Sequence, residues 1–236
     1  MPKTYVIGDV HGMFDTLLAL LNKLPSNAKV VFEGDLIDRG SKSVEVIKFV
    51  RDNNFACVLG NHEDTFIKFF KDFFNDMKWE ELISKWEMWL FLNGGIETLD
   101  SYNFMEDTKD YPKILNRIKS DFEWMQLLPI FLELDAKHKS GLPVVVSHSN
   151  ITQVWHLKDN KEAFNKFRET ALRTRDLTCK DCGILNIYGH TPVQTLTKEK
   201  HCINVDTGCC YNQEGFGKLT AYCIEDDEFI VINKES

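Results

Sequence analysis

No stretch of this sequence approaches the roughly 20 consecutive apolar residues that a bilayer-spanning helix needs, so a transmembrane reading is set aside. Basic excess is missing as well: 28 Lys and Arg stand against 36 Asp and Glu, a formal net charge of -8. Proteins that bind nucleic acid or anionic membranes draw their affinity from Lys and Arg. Both partner classes are therefore excluded, and the acidic charge is read as solubilising. A cysteine framework is also lacking. Seven cysteines is an odd number, and a chain of 236 residues needs no covalent staples. Cys179 and Cys182 form one C-x-x-C, but no second pair follows to complete a structural zinc site. The opening MPKTYVIGDVHG runs straight into a strand pattern with no signal-peptide composition, and the expected location is the cytoplasm. Repeats, low-complexity tracts and Pro/Gly/Ser-rich linkers are absent too, so residues 1–236 are read as a single domain. What remains is ordinary globular composition, 43% hydrophobic and 27% charged.

Short apolar and β-branched runs at Thr4 to Gly8, Val30 to Phe32 and Ala56 to Leu59 predict three buried strands. Helical spacing separates them: Phe14, Leu17, Leu18, Leu21 and Leu24 up to Pro25, then Val44, Ile47 and Val50 behind a capping Ser41. Alternating strands and helices point to βαβ units with largely parallel pairing. Residues 63–128 differ. Phe66, Phe69, Phe70, Phe73, Phe74 and Met77 form one stripe, Trp79 to Trp89 a second, and Ile114 to Met125 a third. Aromatic stripes of this kind are packing surfaces, so the block reads as a helical cap on the sheet. Six more strands are expected at Phe131–Leu134, Val144–Ser147, Ile184–Tyr188, Ile203–Val205, Leu219–Ile224 and Phe229–Ile232. The last two are joined by the acidic turn Glu225-Asp226-Asp227 and should pair antiparallel.

Each of the first three strands runs into a glycine-bounded loop: GDVHG (Gly8 to Gly12), GDLIDRG (Gly34 to Gly40) and GNHED (Gly60 to Asp64). Loops at the C-terminal ends of parallel strands are where α/β sheets build ligand sites. Asp9, His11, Asp35, Asn61 and His62 are expected to converge there. A carboxylate can bridge two cations, and imidazole and amide oxygens supply neutral donors, a mixture suited to a two-metal centre. His148 in SHSN and His190 in YGHTP end two later strands and complete the donor set. His138, His156 and His201 lack that context and are read as ordinary hydrogen-bonded histidines.

In this order, the motifs resemble the phosphoprotein phosphatase branch of the calcineurin-like metallophosphoesterases, closest to small bacterial and lambda-phage-type protein phosphatases. The NGG of Asn93 to Gly95 matches bacterial members. The resemblance implies an α/β (α+β) chain built as a β-sandwich flanked by helices. It also implies that Asp9 and His11 hold one metal, that Asp35 bridges, and that Asn61, His148 and His190 hold the second. A water or hydroxide between the metals would attack phosphorus directly. His62 matches the general acid, Asp38 its carboxylate partner, and Arg39 a phosphate-gripping arginine. The Asp38 partner should favour the charged imidazolium. A second such arginine is expected after His148, with Arg173 ahead of Arg175 and Arg168. Ser149 stands where a smaller residue is usual and is expected to narrow the second-metal side. Two divalent ions are implied, Mn²⁺ first, with Fe or Zn²⁺ as alternatives.

The expected substrate is a protein or peptide phosphorylated on Ser, Thr or Tyr, with small phosphoesters beside it. The enzymatic rival is a symmetrical dinucleoside-tetraphosphate hydrolase, which shares the ligand set. Those enzymes typically lack the Asp of DRG and carry GNHD, so Asp38 and Glu63 favour the phosphatase reading. Acidic charge argues against a nuclease. A non-catalytic metal-binding module would have no need of His62, Asp38 and Arg39.

Overall fold

A computed structural model of the chain describes residues 2–105, 109–196 and 198–235. The first half alternates β1 (Thr4–Ile7), α1 (Phe14–Leu21), β2 (Lys29–Phe32), α2 (Ser43–Asp52) and β3 (Ala56–Cys57). Four helices follow: α3 (Asn61–Phe74), α4 (Trp79–Leu92), α5 (Gly95–Ser101) and α6 (Tyr111–Met125). The second half carries β4 (Phe131–Leu134), β5 (Val144–Ser147), α7 (Phe164–Arg173), β6 (Leu185–Tyr188), β7 (Cys202–Asn204), β8 (Lys218–Cys223) and β9 (Glu228–Asn233).

These strands form two mixed sheets, ordered β3-β2-β1-β8-β9 and β4-β5-β6-β7. Strands β1, β2 and β3 pair parallel, as do β5, β6 and β7. Strand β8 pairs antiparallel with β1 and β9, and β4 does so with β5. The expected β-sandwich is therefore present, and the parallel pairing is split between its two sheets.

Alternation along the strands sends one set of side chains between the sheets and the other set outward. Val6, Val31, Val146, Ile187, Ile203 and Tyr222 fill the space between. Outward-facing Tyr5, Ile7, Val30 and Phe32 join one continuous core with Phe66, Phe69, Phe70, Trp89 and Ile118 of the helical block. The aromatic stripes are thus packing surfaces: Phe69 stacks on Trp89 with ring centroids 4.7 Å apart and on Phe70 at 5.0 Å. A separate cluster of Val145, Ile151, Phe167 and Ala171 seats α7 on the outer face of the smaller sheet.

Three details differ from the expectations. Helix α2 starts at Ser43, and Ser41 does not cap it; no side chain caps its first turn. The Ser43 hydroxyl instead accepts from the Asp38 N–H at 3.2 Å. Helix α5, starting at Gly95 in the NGG turn, is a fourth helix in a block whose sequence showed three stripes. A disulfide joins Cys179 to Cys202, 23 residues away, so Cys179 is partnered across the fold and Cys182 remains a thiol.

Candidate metal centre

Both parallel strand sets end at one edge of the sandwich, and their following loops meet there. The turns are tight enough to put non-glycine residues at positive φ. Such residues include His11 (47°), Asp35 (47°), Asp38 (72°), Arg39 (69°) and His190 (69°). Left-handed backbone costs a side-chain-bearing residue of order 1 kcal/mol or more, and such strain concentrates at functional sites. Close approach also demands glycine: a Cβ on Gly60 would stand 2.3 Å from Asp35 Oδ1.

Glu63 holds this edge together. Its buried carboxylate accepts from the N–H groups of Asp35 (2.9 Å), Leu36 (2.8 Å), Ile37 (3.3 Å) and Gly60 (3.1 Å). That side chain is committed to backbone amides, a structural role for the Glu of GNHE.

Each expected donor lies in the cluster. The His11 Nδ1–H donates to the Ile37 carbonyl at 2.8 Å, which leaves Nε2 facing Asp9 Oδ2 (3.5 Å) and Asp35 Oδ2 (3.7 Å). His148 Nδ1–H donates to the Glu33 carbonyl at 3.1 Å and to Glu33 Oε2 at 3.0 Å. Its Nε2 stands 2.9 Å from Asn61 Oδ1, 3.1 Å from His190 Nδ1 and 3.3 Å from Asp35 Oδ1. Asp9 Oδ1 accepts from the His190 N–H at 3.1 Å, tying the two ends of the chain's motif series together.

Donor atoms of His11, Asp35 and His62, of Asp35, His148 and His190, and of Asp9, Glu33 and His148 lie within 4.8 Å of one another in each trio. Around His148 Nε2 the facing atoms are lone-pair bearers, which repel unless a cation sits among them. Asp35 belongs to two of these trios, and Asp9 stands beside His11 at 3.5 Å; with His62 turned to Asp38, the remaining donors suit a pair of divalent ions.

The electrostatics agree. Burial pushes the imidazoles of His11 and His190 down to about 4, with Arg39 adding to the effect at His11 and Arg175 at His190. Burial does the same to His148. They are neutral at neutral pH, the form in which an imidazole can accept a metal. Burial, Asp9 and Glu63 push the Asp35 carboxyl well above its usual range, the mark of negative charge crowded without a counter-ion.

Beside the donors, the His62 Nδ1–H donates to Asp38 Oδ2 at 2.5 Å. Asp38 is fully buried, and burial raises its carboxyl to about 6. It is held by donors from the helical block: Trp89 Nε1–H at 2.8 Å and the Thr98 hydroxyl at 2.6 Å. The expectation that Asp38 keeps His62 charged does not hold by itself. Burial and the Arg39 guanidinium hold that imidazole well below its usual range. Arg39 donates to His62 Nε2 at 3.2 Å and to His11 Nε2 at 2.5 Å, and stacks on Tyr211 at 5.4 Å.

A cleft of about 270 Å³ opens over these groups, walled by Arg39, Arg173, Arg175, Asn93, His190 and Tyr211. Arg173 and Arg175 both reach it. Arg168 does not line it; it pairs with buried Asp64 at 2.6 Å, and Arg173 Nη2 is anchored on the same carboxylate. The Ser149 hydroxyl turns away, donating to the Thr170 carbonyl at 2.6 Å, so Ser149 ties α7 to the His148 loop and does not narrow the site.

Sequence reasoning missed four contributors. Asp64 closes the GNHED motif, Glu33 and Thr98 lie near motifs and Trp89 within an aromatic stripe, and only the fold brings them to the centre. Glu33, next to the GD of the second loop, carried the one local signal: a charged residue following an apolar strand.

The comparisons agree with this geometry. A bis(5'-nucleosyl)-tetraphosphatase PrpE, asymmetrical, from Oceanobacillus iheyensis is 28% identical across 98% of this chain and 92% of its own length. A symmetrical bis(5'-nucleosyl)-tetraphosphatase from Escherichia coli is 29% identical over 67% of the chain and 47% of its own length. The solved structure of a putative diadenosine tetraphosphatase shares the fold at a TM-score of 0.62 and 18% identity, covering 100% of this chain and 97% of that one. The calcineurin-like phosphoesterase family model matches residues 2–194, and the chain is a member of that family.

Proposed function

We propose that this metallophosphoesterase hydrolyses a dinucleoside tetraphosphate, using two divalent cations, Mn²⁺ first among them, held by Asp9, His11, Asp35, Asn61, His148 and His190. The observation that carries the reading is the cationic wall of the cleft: Arg39, Arg173 and Arg175 together line one opening. A phosphomonoester dianion is satisfied by two guanidinium groups, whereas a polyphosphate chain offers oxygens to all three. At about 270 Å³ the cleft accommodates phosphoryl groups but not two nucleosides, which would lie over its rim. The relatives aligned over nearly their whole length point the same way, and they carry the asymmetrical name where the sequence alone suggested the symmetrical one.

When bound, the cation pair would lower the pKa of an attacking water and neutralise charge on the phosphoryl oxygens. This chain's residues do the rest. Arg39, which here donates to His11 Nε2 and His62 Nε2, would leave both rings and grip a phosphate once His11 holds a cation, with Tyr211 supporting its face. Arg173, braced by Asp64, takes a neighbouring phosphate. His62 Nε2, released from Arg39, holds a proton for the leaving oxygen, and Asp38 fixes the ring through Nδ1.

One observation favours phosphorylated Ser, Thr or Tyr peptides as a second reading: the buried Asp38–His62 pair is equipment for a poor leaving group such as an alkoxide. The test supplies the Mn²⁺-loaded protein with diadenosine tetraphosphate and with phosphopeptides at equal concentration, resolving products by anion exchange. Faster release of ATP and AMP supports the asymmetrical reading, and two ADP the symmetrical one. Preference for the phosphopeptides would overturn both.

A further inference from the structure

Glu33 directly follows β2, one residue before the second glycine loop, and is fully buried. Within ion-pair distance, the one basic group it meets among the described residues is His148; no Lys or Arg approaches it. Burying a carboxyl in such a place is costly, and an aliphatic residue would continue the strand's apolar face without that cost. Its two oxygens point at different partners. Oε2 accepts from His148 Nδ1–H at 3.0 Å. Oε1 is buried without a hydrogen-bond partner, in the gap beside Asp9 Oδ1 and Gly189. A Cβ at position 189 would stand 2.3 Å from Glu33 Oε1 and 2.5 Å from Asp9 Oδ1, so the glycine before His190 leaves room for this pair of carboxyls.

We propose that Glu33 is a positioning residue of the metal centre, fixing the His148 ring so that Nε2 presents its lone pair to the second cation. The inference rests on the binuclear reading above. Imidazole ligands commonly donate their other ring N–H to a carboxylate or carbonyl, which sets tautomer, orientation and basicity. Here both acceptors come from one residue, the carbonyl and carboxyl of Glu33.

The test is stepwise Mn²⁺ binding to the metal-free full chain by equilibrium dialysis, with substrate absent. Glu33→Met keeps the volume and removes the side-chain acceptor, leaving only the backbone carbonyl; it should weaken the second Mn²⁺ by about 10–100-fold and leave the first nearly unchanged. Glu33→Gln offers an amide oxygen to the same Nδ1–H and should restore the second affinity to within about threefold of wild type. A protein with only a general stability defect would not split the two affinities. Wild-type affinity in Glu33→Met, or an equal loss in Glu33→Gln, overturns the proposal. If Glu33→Met does not fold, ring nitrogen NMR of the metal-free wild type decides. His148 protonated at Nδ1 is the expected state, and protonation at Nε2 overturns the proposal. A wild-type chain that binds one Mn²⁺ would overturn the binuclear reading together with this inference, whereas the other outcomes strike the inference alone.

Discussion

Replacing His62 with Asn removes, among the described residues, the only side chain that reaches the cleft while hydrogen-bonded to Asp38. The imidazole is 4% exposed, its Nδ1 is fixed at 2.5 Å from Asp38 Oδ2, and Asp38 is in turn pinned by Trp89 and Thr98. A proton donor so constrained is worth about 10²–10⁴-fold in rate. That is about 2.7–5.5 kcal/mol of barrier for a leaving group that cannot depart as an anion. Phosphoserine, whose leaving oxygen is an alkoxide, should show the full loss. Diadenosine tetraphosphate expels a nucleotide polyphosphate that is stable as an anion, and its loss should be about tenfold or less. Nitrophenyl phosphate should fall between. The assay is kcat for all three substrates at saturating Mn²⁺, with metal content measured on the same samples. Asp38→Asn should reproduce the pattern more weakly, because it orients the ring without delivering the proton. Equal losses for all three substrates, accompanied by lost metal, would refute the acid assignment and make His62 a ligand.

Arg173→Ala should lower kcat/KM by about 10–100-fold, mostly through KM, because a charge-assisted contact to phosphate is lost. Arg168→Ala should change kcat/KM far less, since that guanidinium meets Asp64 outside the cleft lining; equal effects would argue against the assignment. Burial opposes ionisation of Asp227, but hydrogen bonds from Lys139, Tyr222, Lys198 and His138 outweigh it and depress its carboxyl strongly. A depressed folded-state value stabilises the fold above the unfolded pKa of about 3.9 and loses that stabilisation as the pH falls below it. Thermal melts should therefore show a shallower acid limb for Asp227→Asn than for wild type. Cys202→Ser opens the 23-residue disulfide loop, which should cost about 3 kcal/mol in denaturant unfolding.

The centre was legible because its chemistry is local. GDVHG, GDLIDRG and GNHED each place a donor within a few residues of the strand end that aims it, and the helical spacing of Phe66 to Met77 announced a packed face. What could not be read depends on distant pairing. Thr98 reaches Asp38 across 60 positions, Trp89 across 51, and Arg173 reaches Asp64 across 109. The Cys179–Cys202 bond was hidden because Cys182 offered a nearer partner, yet pairing of β7 with β6 brings Cys202 to the loop instead. The substrate preference drawn from Asp38 and Glu63 is backed less well than its tetraphosphate alternative, and Glu63 itself faces the backbone, a direction no motif spells out.

The central claim is that Asp35 would hold both cations of a pair; its carboxylate belongs to two of the three donor trios. Elemental analysis of protein purified with Mn²⁺ tests it most directly, comparing wild type with Asp35→Asn. The account predicts two metals per wild-type chain, with tight binding of the pair and most activity lost in the variant. Two tightly bound metals in Asp35→Asn, or a wild-type chain fully active with one, would contradict it.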